Sequence, residues 1–167
     1  MQNSVPDTLL VREALRKDRS HIEKMLKESE VFSVEEVQCA LEMFDAYIKT
    51  GPLPDEYVFE CLIDHDNPPL GFICYGRHSL ADRVFDLYWI LVDRNRRLRG
   101  IGKSLIAHLD QKLKTMNARM VVAETSSRLE YVATRAFYRA TGFNQVARVP
   151  DFYHAGDDME IYIKNYE

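Results

Sequence analysis

Apolar side chains recur along the chain in two patterns, one typical of helices and one typical of strands. Four segments place them every three or four residues, and seven shorter runs are apolar at most positions. The first helical segment follows Asp18, the second follows Ser33 and the third follows the glycines at 100 and 102. The fourth spans Tyr131–Phe143. The predicted strands are Thr8–Ala14, Glu56–Ile63, Leu70–Gly76, Arg83–Asp93, Met120–Glu124, Asn144–Val149 and Met159–Lys164.

Capping and turn residues support these boundaries. Asp18 is predicted to cap the first helix, and Ser33 with Glu36 forms a capping box for the second, which stops at Gly51. Gly142 suits a left-handed cap on the last helix. The resulting order is βααβββαβαββ, with a parallel, right-handed strand–helix–strand unit in the centre and antiparallel strands around it. The pattern therefore predicts an α/β (α+β) fold, a mixed, largely antiparallel sheet of about seven strands flanked by four helices.

Composition adds that this is an ordinary globular chain in one domain. Its 167 residues are 46% hydrophobic and 29% charged, and we predict a single domain over residues 1–167. The start lacks the pattern of a signal peptide, and no apolar run approaches the ~20 residues of a membrane span. Three cysteines without a C-x-x-C pair are typical of free thiols in a reducing compartment. We therefore expect a cytoplasmic protein with no membrane partner.

The stretch Arg94–Leu105, RNRRLRGIGKSL, concentrates five cationic side chains and a Gly-x-Gly spacing at the start of a helix, although the formal net charge is −4. Free amides at a helix N-terminus and the helix dipole favour phosphate. A Walker A loop is excluded because Arg97 stands where that motif needs glycine, and a dinucleotide fingerprint is excluded by Leu105. A phosphate site and a tight turn with a solvated basic face both remain open.

Two motifs together resemble one known family. Arg97-x-x-Gly100-x-Gly102, after an apolar strand and opening a helix, resembles the pyrophosphate loop of the GNAT superfamily of acyl-CoA-dependent N-acetyltransferases. AFYRATGF, Ala136–Phe143, resembles the A-x-Y-x-x-x-G-F segment of the same family, and the βααβββαβαββ order agrees with it. The resemblance implies acetyl-CoA as co-substrate and no metal. One departure is Tyr131, where the family often has a pantetheine-binding Asn.

The resemblance also implies how the cofactor is held. A strand that splays from its neighbour is expected to bond the pantetheine arm, and the glycine loop the pyrophosphate. An N–H near Leu91 or Val92 is the implied donor to the oxyanion. The implied cofactor-binding residues are Ile90, Leu91, Val92, Arg97, Leu98, Arg99, Gly100, Ile101, Gly102 and Lys103.

Acetyl transfer to an amine needs a neutral amine and a stabilised leaving thiolate. Tyr138 is the candidate acid, because a phenol with a pKa of about 10 stays protonated at neutral pH; a core tyrosine is the alternative. Asp86, fourteen residues before Gly100, and Glu124, at a strand end, are rival bases. Either carboxylate is equally well explained by a structural pairing. Strand alternation places Asp86, Tyr88 and Ile90 on one face and Phe85, Leu87 and Trp89 on the other.

The acceptor is less defined. The acids and aromatic rings of Asp151–Asp158, with the acidic Lys27–Glu30, suit a cationic amine, although a solvated hairpin turn is the better explanation of the first segment. The histidines show no metal-ligand spacing, and one basic loop on an acidic chain does not indicate nucleic-acid binding.

The predicted function is acetyl transfer from acetyl-CoA to a primary amine of a small molecule or peptide. The alternative is a non-catalytic acyl-CoA sensor. A homodimer through the last strands, including Met159–Glu167, is possible in either case.

Overall fold

A computed structural model describes residues 9–52, 56–95 and 100–166, which form one sheet covered by helices on both faces. The strands are β1 Leu9–Glu13, β2 Val58–Asp64, β3 Gly71–Arg77, β4 Val84–Val92, β5 Met120–Ser126, β6 Asn144–His154 and β7 Asp157–Asn165. The helices are α1 Arg19–Glu28, α2 Val34–Thr50, α3 Ile101–Thr115 and α4 Val132–Ala140, with short 3-10 turns at Arg16–Asp18 and Leu129–Tyr131. The predicted fold class and element order are confirmed.

The sheet runs β1-β2-β3-β4-β5-β7-β6, and β4 with β5 is its parallel pair. The other neighbours pair antiparallel, as predicted. The last strand lies inside the sheet, because β7 pairs with β5 on one side and with β6 on the other. The expectation that the last strands offer a sheet edge is therefore wrong for Met159–Glu167 but holds for β6, which lies at one edge of the sheet, with β1 at the other.

Apolar side chains form two cores, one on each face of the sheet. The α3–α4 core contains Leu105, Leu109, Phe85, Tyr138 and Tyr162. The α1–α2 core contains Ile22, Phe44, Phe59, Phe72 and Cys74. Strand β4 packs against both cores, whereas β5 packs its Val121 and Ala123 against the α3–α4 core only.

The helix caps agree with the sequence at two points and differ at a third. Ser33 Oγ accepts the Glu36 N–H at 3.1 Å and Glu36 Oε2 accepts the Ser33 N–H at 2.7 Å, so the capping box is confirmed. Gly142 has φ +91° after α4, as predicted. Asp18 does not cap α1. Its carboxylate instead accepts two hydrogen bonds from Arg12, at 2.7 and 3.0 Å, because a buried carboxylate requires a cationic partner.

A bulge in β4 changes which side chains share a face. Tyr75 pairs with Leu87 and Cys74 with Trp89, so Tyr88 is an extra residue without an opposite partner on β3. After it, Ile90 joins Leu87 against the α3–α4 core, whereas Trp89 turns to the α1–α2 core. The predicted grouping of Asp86, Tyr88 and Ile90 opposite Phe85, Leu87 and Trp89 is therefore wrong beyond the bulge.

Candidate functional site

The two parallel strands at the centre of the sheet separate at their carboxyl ends. Their pairing runs from Val84 with Met120 to Leu87 with Ala123 and then stops. Beyond that point the two strands do not pair with each other, although β4 continues to Val92 and β5 to Ser126. The separation begins at the Tyr88 bulge, since a bulge bends its strand. The opening therefore exposes backbone N–H and C=O groups on both facing edges, which an extended ligand can bond.

The start of α3 lies next along the chain from this opening. Gly100 is its N-cap residue with φ +75°, and as a glycine it supplies no side chain to cap the helix. The first backbone bond of the helix runs from the Ser104 N–H to the Gly100 carbonyl at 3.0 Å, so the preceding amides of residues 101–103 have no acceptor within the helix. Among the described residues, nothing lies within 4 Å of the position of a Gly100 Cβ. This end of α3 can therefore accept an anion.

The other residues predicted for this loop differ in their burial, and three of them lie outside the part of the chain that the structure describes. Arg97, Leu98 and Arg99 lie outside the described residues. The Ile101 side chain is buried in the α3–α4 core, whereas Lys103 is exposed. A Cβ on Gly102 would meet the Phe137 ring at 3.0 Å, so that glycine is needed for packing α3 against α4.

Tyr138 lies on α4, against the α3–α4 core. Arg135 anchors the helix to the end of β5 by donating to the carbonyls of Ser126, at 2.7 Å, and Arg128, at 2.9 Å. The Tyr138 ring is 5% exposed and packs 5.6 Å from the Tyr162 ring. Its hydroxyl forms no hydrogen bond with any described residue. Burial, with a smaller effect of a neighbouring tyrosine, raises the pKa of Tyr138, so its proton is retained above neutral pH.

Both candidate carboxylates lie on the opposite face of the sheet from Tyr138. Ala123 packs in the α3–α4 core, so the next residue, Glu124, faces the α1–α2 side, just beyond the end of the parallel pairing. Glu124 is exposed and has no hydrogen-bond or ion-pair partner among the described residues. Asp86 lies inside the paired stretch, and its carboxylate is 2.9 Å from His78 Nδ1. The structure therefore brings Glu124, rather than Asp86, to the opening.

Asp86 lines a different space. A cavity of about 720 Å³ lies between the carboxyl end of α2 and β4, and Asp86, Tyr88, Tyr57, His78 and Lys49 are among its lining residues. The Tyr88 hydroxyl is 3.5 Å from the Asp86 carboxylate. Asp86 and His78 thus form a polar pair beside the paired part of β4.

Aromatic side chains surround the α1–α2 side of the opening, and sequence reasoning named only some of them. Phe32 packs edge-on against Trp89, with ring centroids 5.3 Å apart, and against Tyr131 at 6.5 Å. The Tyr131 hydroxyl lies 3.4 Å from the Val31 carbonyl, so this residue joins α4 to the segment before α2. Burial and then the charge of Glu124 raise the pKa of Tyr153 to about 12. Phe32 and Trp89 carried no sequence signal, because their contacts join segments distant in the chain.

The acids of Asp151–Asp158 are engaged in holding the last hairpin in place. Asp157 accepts the Ser126 hydroxyl at 2.5 Å, which ties the hairpin to the end of β5. Asp158 accepts from Arg148 and from the Asp151 N–H. Asp151 in turn accepts the Gly156 N–H at 2.6 Å. These acids therefore shape the wall of the site, and Glu124 is the nearby acid that is left without such a bond among the described residues.

No group of three or more His, Cys, Asp or Glu side chains within residues 9–52, 56–95 and 100–166 is arranged to hold a metal ion. None of the helices in the same ranges has the length and apolarity needed to cross a membrane.

Comparison with known proteins identifies the fold and the family. A solved structure assigned to the GNAT acetyltransferase family, from Desulfovibrio desulfuricans, is 31% identical, covers 94% of this chain and 98% of its own, and superposes with a TM-score of 0.88. The ribosomal-protein-S18-alanine N-acetyltransferase of Escherichia coli (16% identity, 94% and 93% covered, TM-score 0.73) shares the fold. So does a Salmonella typhimurium protein solved with its cofactor acetyl-CoA (14% identity, 96% and 95% covered, TM-score 0.71).

The sequence comparison gives the same result. No curated protein matches the chain. The family model described as "Acetyltransferase (GNAT) domain" matches residues 55–145, which contain β4, the glycine loop, β5 and α4. Since that match spans more than half of the chain and the 31% identical structure spans nearly all of it, the chain belongs to the GNAT superfamily of acetyltransferases.

Proposed function

We propose that this protein transfers an acetyl group from acetyl-CoA to a primary amine of a small molecule or peptide. One observation carries the proposal: β4 and β5 separate, with an exposed carboxylate on one face of the sheet and, on the other, the hydroxyl of a buried side chain to which no described residue bonds. Tyr138 and Glu124 are those two groups. A proton donor and a proton acceptor on opposite sides of one opening suit a transfer in which the leaving group and the attacking amine occupy opposite ends of the reacting centre.

The described residues fit acetyl-CoA. The amides of residues 101–103, with Lys103 on the first turn of α3, suit the negative pyrophosphate. The unpaired edge of β4, residues Ile90, Leu91 and Val92, suits the amide groups of the pantetheine arm. When bound, acetyl-CoA supplies an electrophilic thioester carbonyl. Arg97, Leu98 and Arg99 remain proposed contacts on the strength of the sequence motif.

The other proposed site residues donate a proton, accept a proton or stabilise a charge during the transfer. Tyr138 keeps its proton, because burial raises its pKa, and so offers a hydrogen bond to a departing thiolate. Glu124 offers a carboxylate that accepts a proton from an ammonium arriving on the α1–α2 side. An N–H of β4 near Leu91 or Val92 is the proposed donor to the developing oxyanion. The aromatic rings of Phe32, Trp89 and Tyr153 suit an amine that is cationic before it reacts.

The experiment that tests the function is a turnover screen. The protein is incubated with acetyl-CoA and a broad panel of amines, including peptide N-termini, while released thiol is followed. We expect thiol release that depends on one class of amine. Tight binding of acetyl-CoA without turnover across the panel would instead favour the non-catalytic sensor.

A pair of substitutions distinguishes the two candidate bases. We expect Glu124→Gln to lower kcat/KM by ~10² at neutral pH and to flatten the acidic limb of its pH profile, because the group that accepts the proton is lost. Asp86→Asn is the matched control, since its carboxylate is paired with His78 at 2.9 Å, and we expect it to keep that limb. The reverse outcome would assign the base to Asp86. If both variants keep the limb, the enzyme uses no dedicated carboxylate base.

The cellular compartment and the domain organisation are two further proposals. Cys39, Cys61 and Cys74 are free thiols, and the last two are buried. Free thiols are usual in a reducing compartment, so we propose that the protein acts in the cytoplasm. One sheet includes every strand from β1 to β7, which supports our proposal of a single domain over residues 1–167.

A homodimer is proposed through β6, the edge strand next to β7. Every residue of β6 is exposed, including Val146 and Phe152. Pairing of this strand with a second copy would bury those side chains. Light scattering at micromolar concentration is the check, and a monomer mass would contradict the proposal.

A further inference from the structure

Thr125 is a buried residue whose side chain has a hydrogen-bonding group that no described residue satisfies. It is 5% exposed, and its Oγ1 has no partner in the described part of the chain. Its backbone is in the sheet, where it pairs with Glu160 of β7. Most buried hydroxyls in folded proteins are hydrogen-bonded, and leaving one unpaired costs free energy, so this one requires a reason.

The position of Thr125 is the first part of the argument. It lies two residues beyond Ala123, where the pairing with β4 ends, so β5 has no strand beside it on that edge. Thr125 and Ala123 face the same side of the sheet, the side covered by α4 and Tyr138. The hydroxyl therefore lies beside the opening, on the opposite face from Glu124.

The polar groups around it are already used by one another. Glu160 Oε2 accepts the Tyr162 hydroxyl at 2.9 Å and lies 3.8 Å from Arg135 Nε. The Glu160 carboxylate is thus engaged without the Thr125 hydroxyl, and a ligand that enters the opening can supply the missing hydrogen bond.

We propose that the Thr125 hydroxyl hydrogen-bonds a polar group, an amide or hydroxyl, of the pantetheine arm of bound CoA. The inference rests on the proposed function, because it assumes that acetyl-CoA occupies the opening. The arm is favoured over the acceptor amine because Thr125 is on the α4 side, whereas Glu124 and the aromatic rings are on the α1–α2 side. Thr125 is thus a binding residue that positions the thioester.

The test uses Thr125→Val, which keeps the shape of the side chain and removes only the hydroxyl. We expect the Kd for CoA, measured by calorimetry, to rise roughly three- to tenfold, the usual worth of one hydrogen bond. Thr125→Ser, which restores a hydroxyl, should recover most of the affinity. In the free protein we expect the Tm of Thr125→Val to stay level or rise by roughly 2–4 °C, because an unsatisfied buried group is removed.

A second threonine serves as the matched control. The Thr141 hydroxyl is satisfied, since it donates to the Phe137 carbonyl at 2.9 Å. Thr141→Val should therefore lower the Tm and leave the Kd for CoA unchanged, which is the opposite pattern.

Three outcomes would overturn the inference. Wild-type affinity in Thr125→Val would show that the hydroxyl does not touch CoA. A lower Tm in that variant would show that the hydroxyl has a partner inside the free protein. If the wild-type protein does not bind CoA, the proposed function fails and this inference fails with it. In the first two cases the wild type still binds and turns over acetyl-CoA, so only the inference is lost.

Discussion

Tyr138→Phe is expected to lower kcat by ~10²–10⁴ while leaving the affinity for acetyl-CoA close to that of the wild type, because only a positioned proton donor is lost. The ring that packs against Phe143 and Tyr162, with centroids 5.2 and 5.6 Å away, is unchanged. The hydroxyl has no hydrogen bond to any described residue, so its removal should not lower the free energy of unfolding. Stopped-flow thiol release and thermal unfolding measure the two effects.

Tyr162→Phe is the matched control for this experiment. Its hydroxyl donates to the buried Glu160 carboxylate at 2.9 Å, so its loss should cost about 1–3 kcal/mol of stability and little activity. The two tyrosines thus separate catalysis from packing within one cluster. A Tyr138→Phe enzyme with the wild-type kcat would show that Tyr138 is only a core residue.

The pH dependence gives a further expected result for the same residue. Burial raises the pKa of Tyr138, so the hydroxyl stays protonated at higher pH than an ordinary tyrosine, whose pKa is about 10. We therefore expect the kcat/KM profile of the wild type to rise as the amine or its base deprotonates and then to stay level through about pH 10. A fall below that pH which disappears in Tyr138→Phe would show that Tyr138 ionises earlier than its burial indicates.

Local signals carried the parts of the fold that the sequence predicted well. The Ser33 capping box, the Gly142 cap and the helix after Gly100 depend on residues within a few positions of each other, so their pattern is visible in the chain. The same holds for the parallel β4–α3–β5 unit, whose handedness is nearly invariant in proteins. These elements also position the glycine loop and Tyr138, which is why the site could be proposed at all.

The errors concern information that is not local. VFDLYWILV is apolar at nearly every position, so a one-residue bulge at Tyr88 leaves no mark on the pattern, yet it reverses the facing of every later side chain. The insertion of β7 between β5 and β6 is set by long-range pairing, which no spacing reveals. Asp18 looked like a cap because its type and position suit one, but its carboxylate turns back to the Leu15 N–H and to the Arg12 guanidinium, a choice between nearby partners that the pattern does not decide.

The rival bases illustrate the same limit. Sequence spacing treated Asp86 and Glu124 alike, since both are acids on or at the end of a central strand. The structure separates them by their partners: His78 reaches Asp86 from the end of β3, whereas Glu124 follows the point where β5 loses contact with β4. Whether an acid is engaged depends on which side chains approach it in three dimensions, and a single sequence does not contain that.

Gly100→Val is expected to weaken CoA binding by ~10²–10⁴, the worth of about two lost charge-assisted hydrogen bonds at roughly 1.5–3 kcal/mol each. Gly100 is the N-cap of α3 with φ +75°, and its missing side chain leaves open the space in front of the helix amides. A branched side chain there would occupy the space that a pyrophosphate needs and would oppose the left-handed backbone. Gly102 is unsuitable for this test, because a Cβ there would meet Phe137 at 3.0 Å and disturb the packing of α3.

Gly51→Val supplies the matched control for the backbone. Gly51 also has a positive φ, +79°, and no described atom within 4 Å of its Cβ position, but its ψ of 179° differs from the 6° of Gly100, so we expect Gly51→Val to lose at least as much stability as Gly100→Val. Gly51 ends α2, away from the opening, so only Gly100→Val should lose affinity for CoA in calorimetry. Because Gly51→Val is strained at least as strongly as Gly100→Val, a loss of affinity confined to Gly100→Val reports the ligand site and not backbone strain. If the two variants bind CoA equally well, the glycine loop is only a turn, and the pyrophosphate must be held elsewhere.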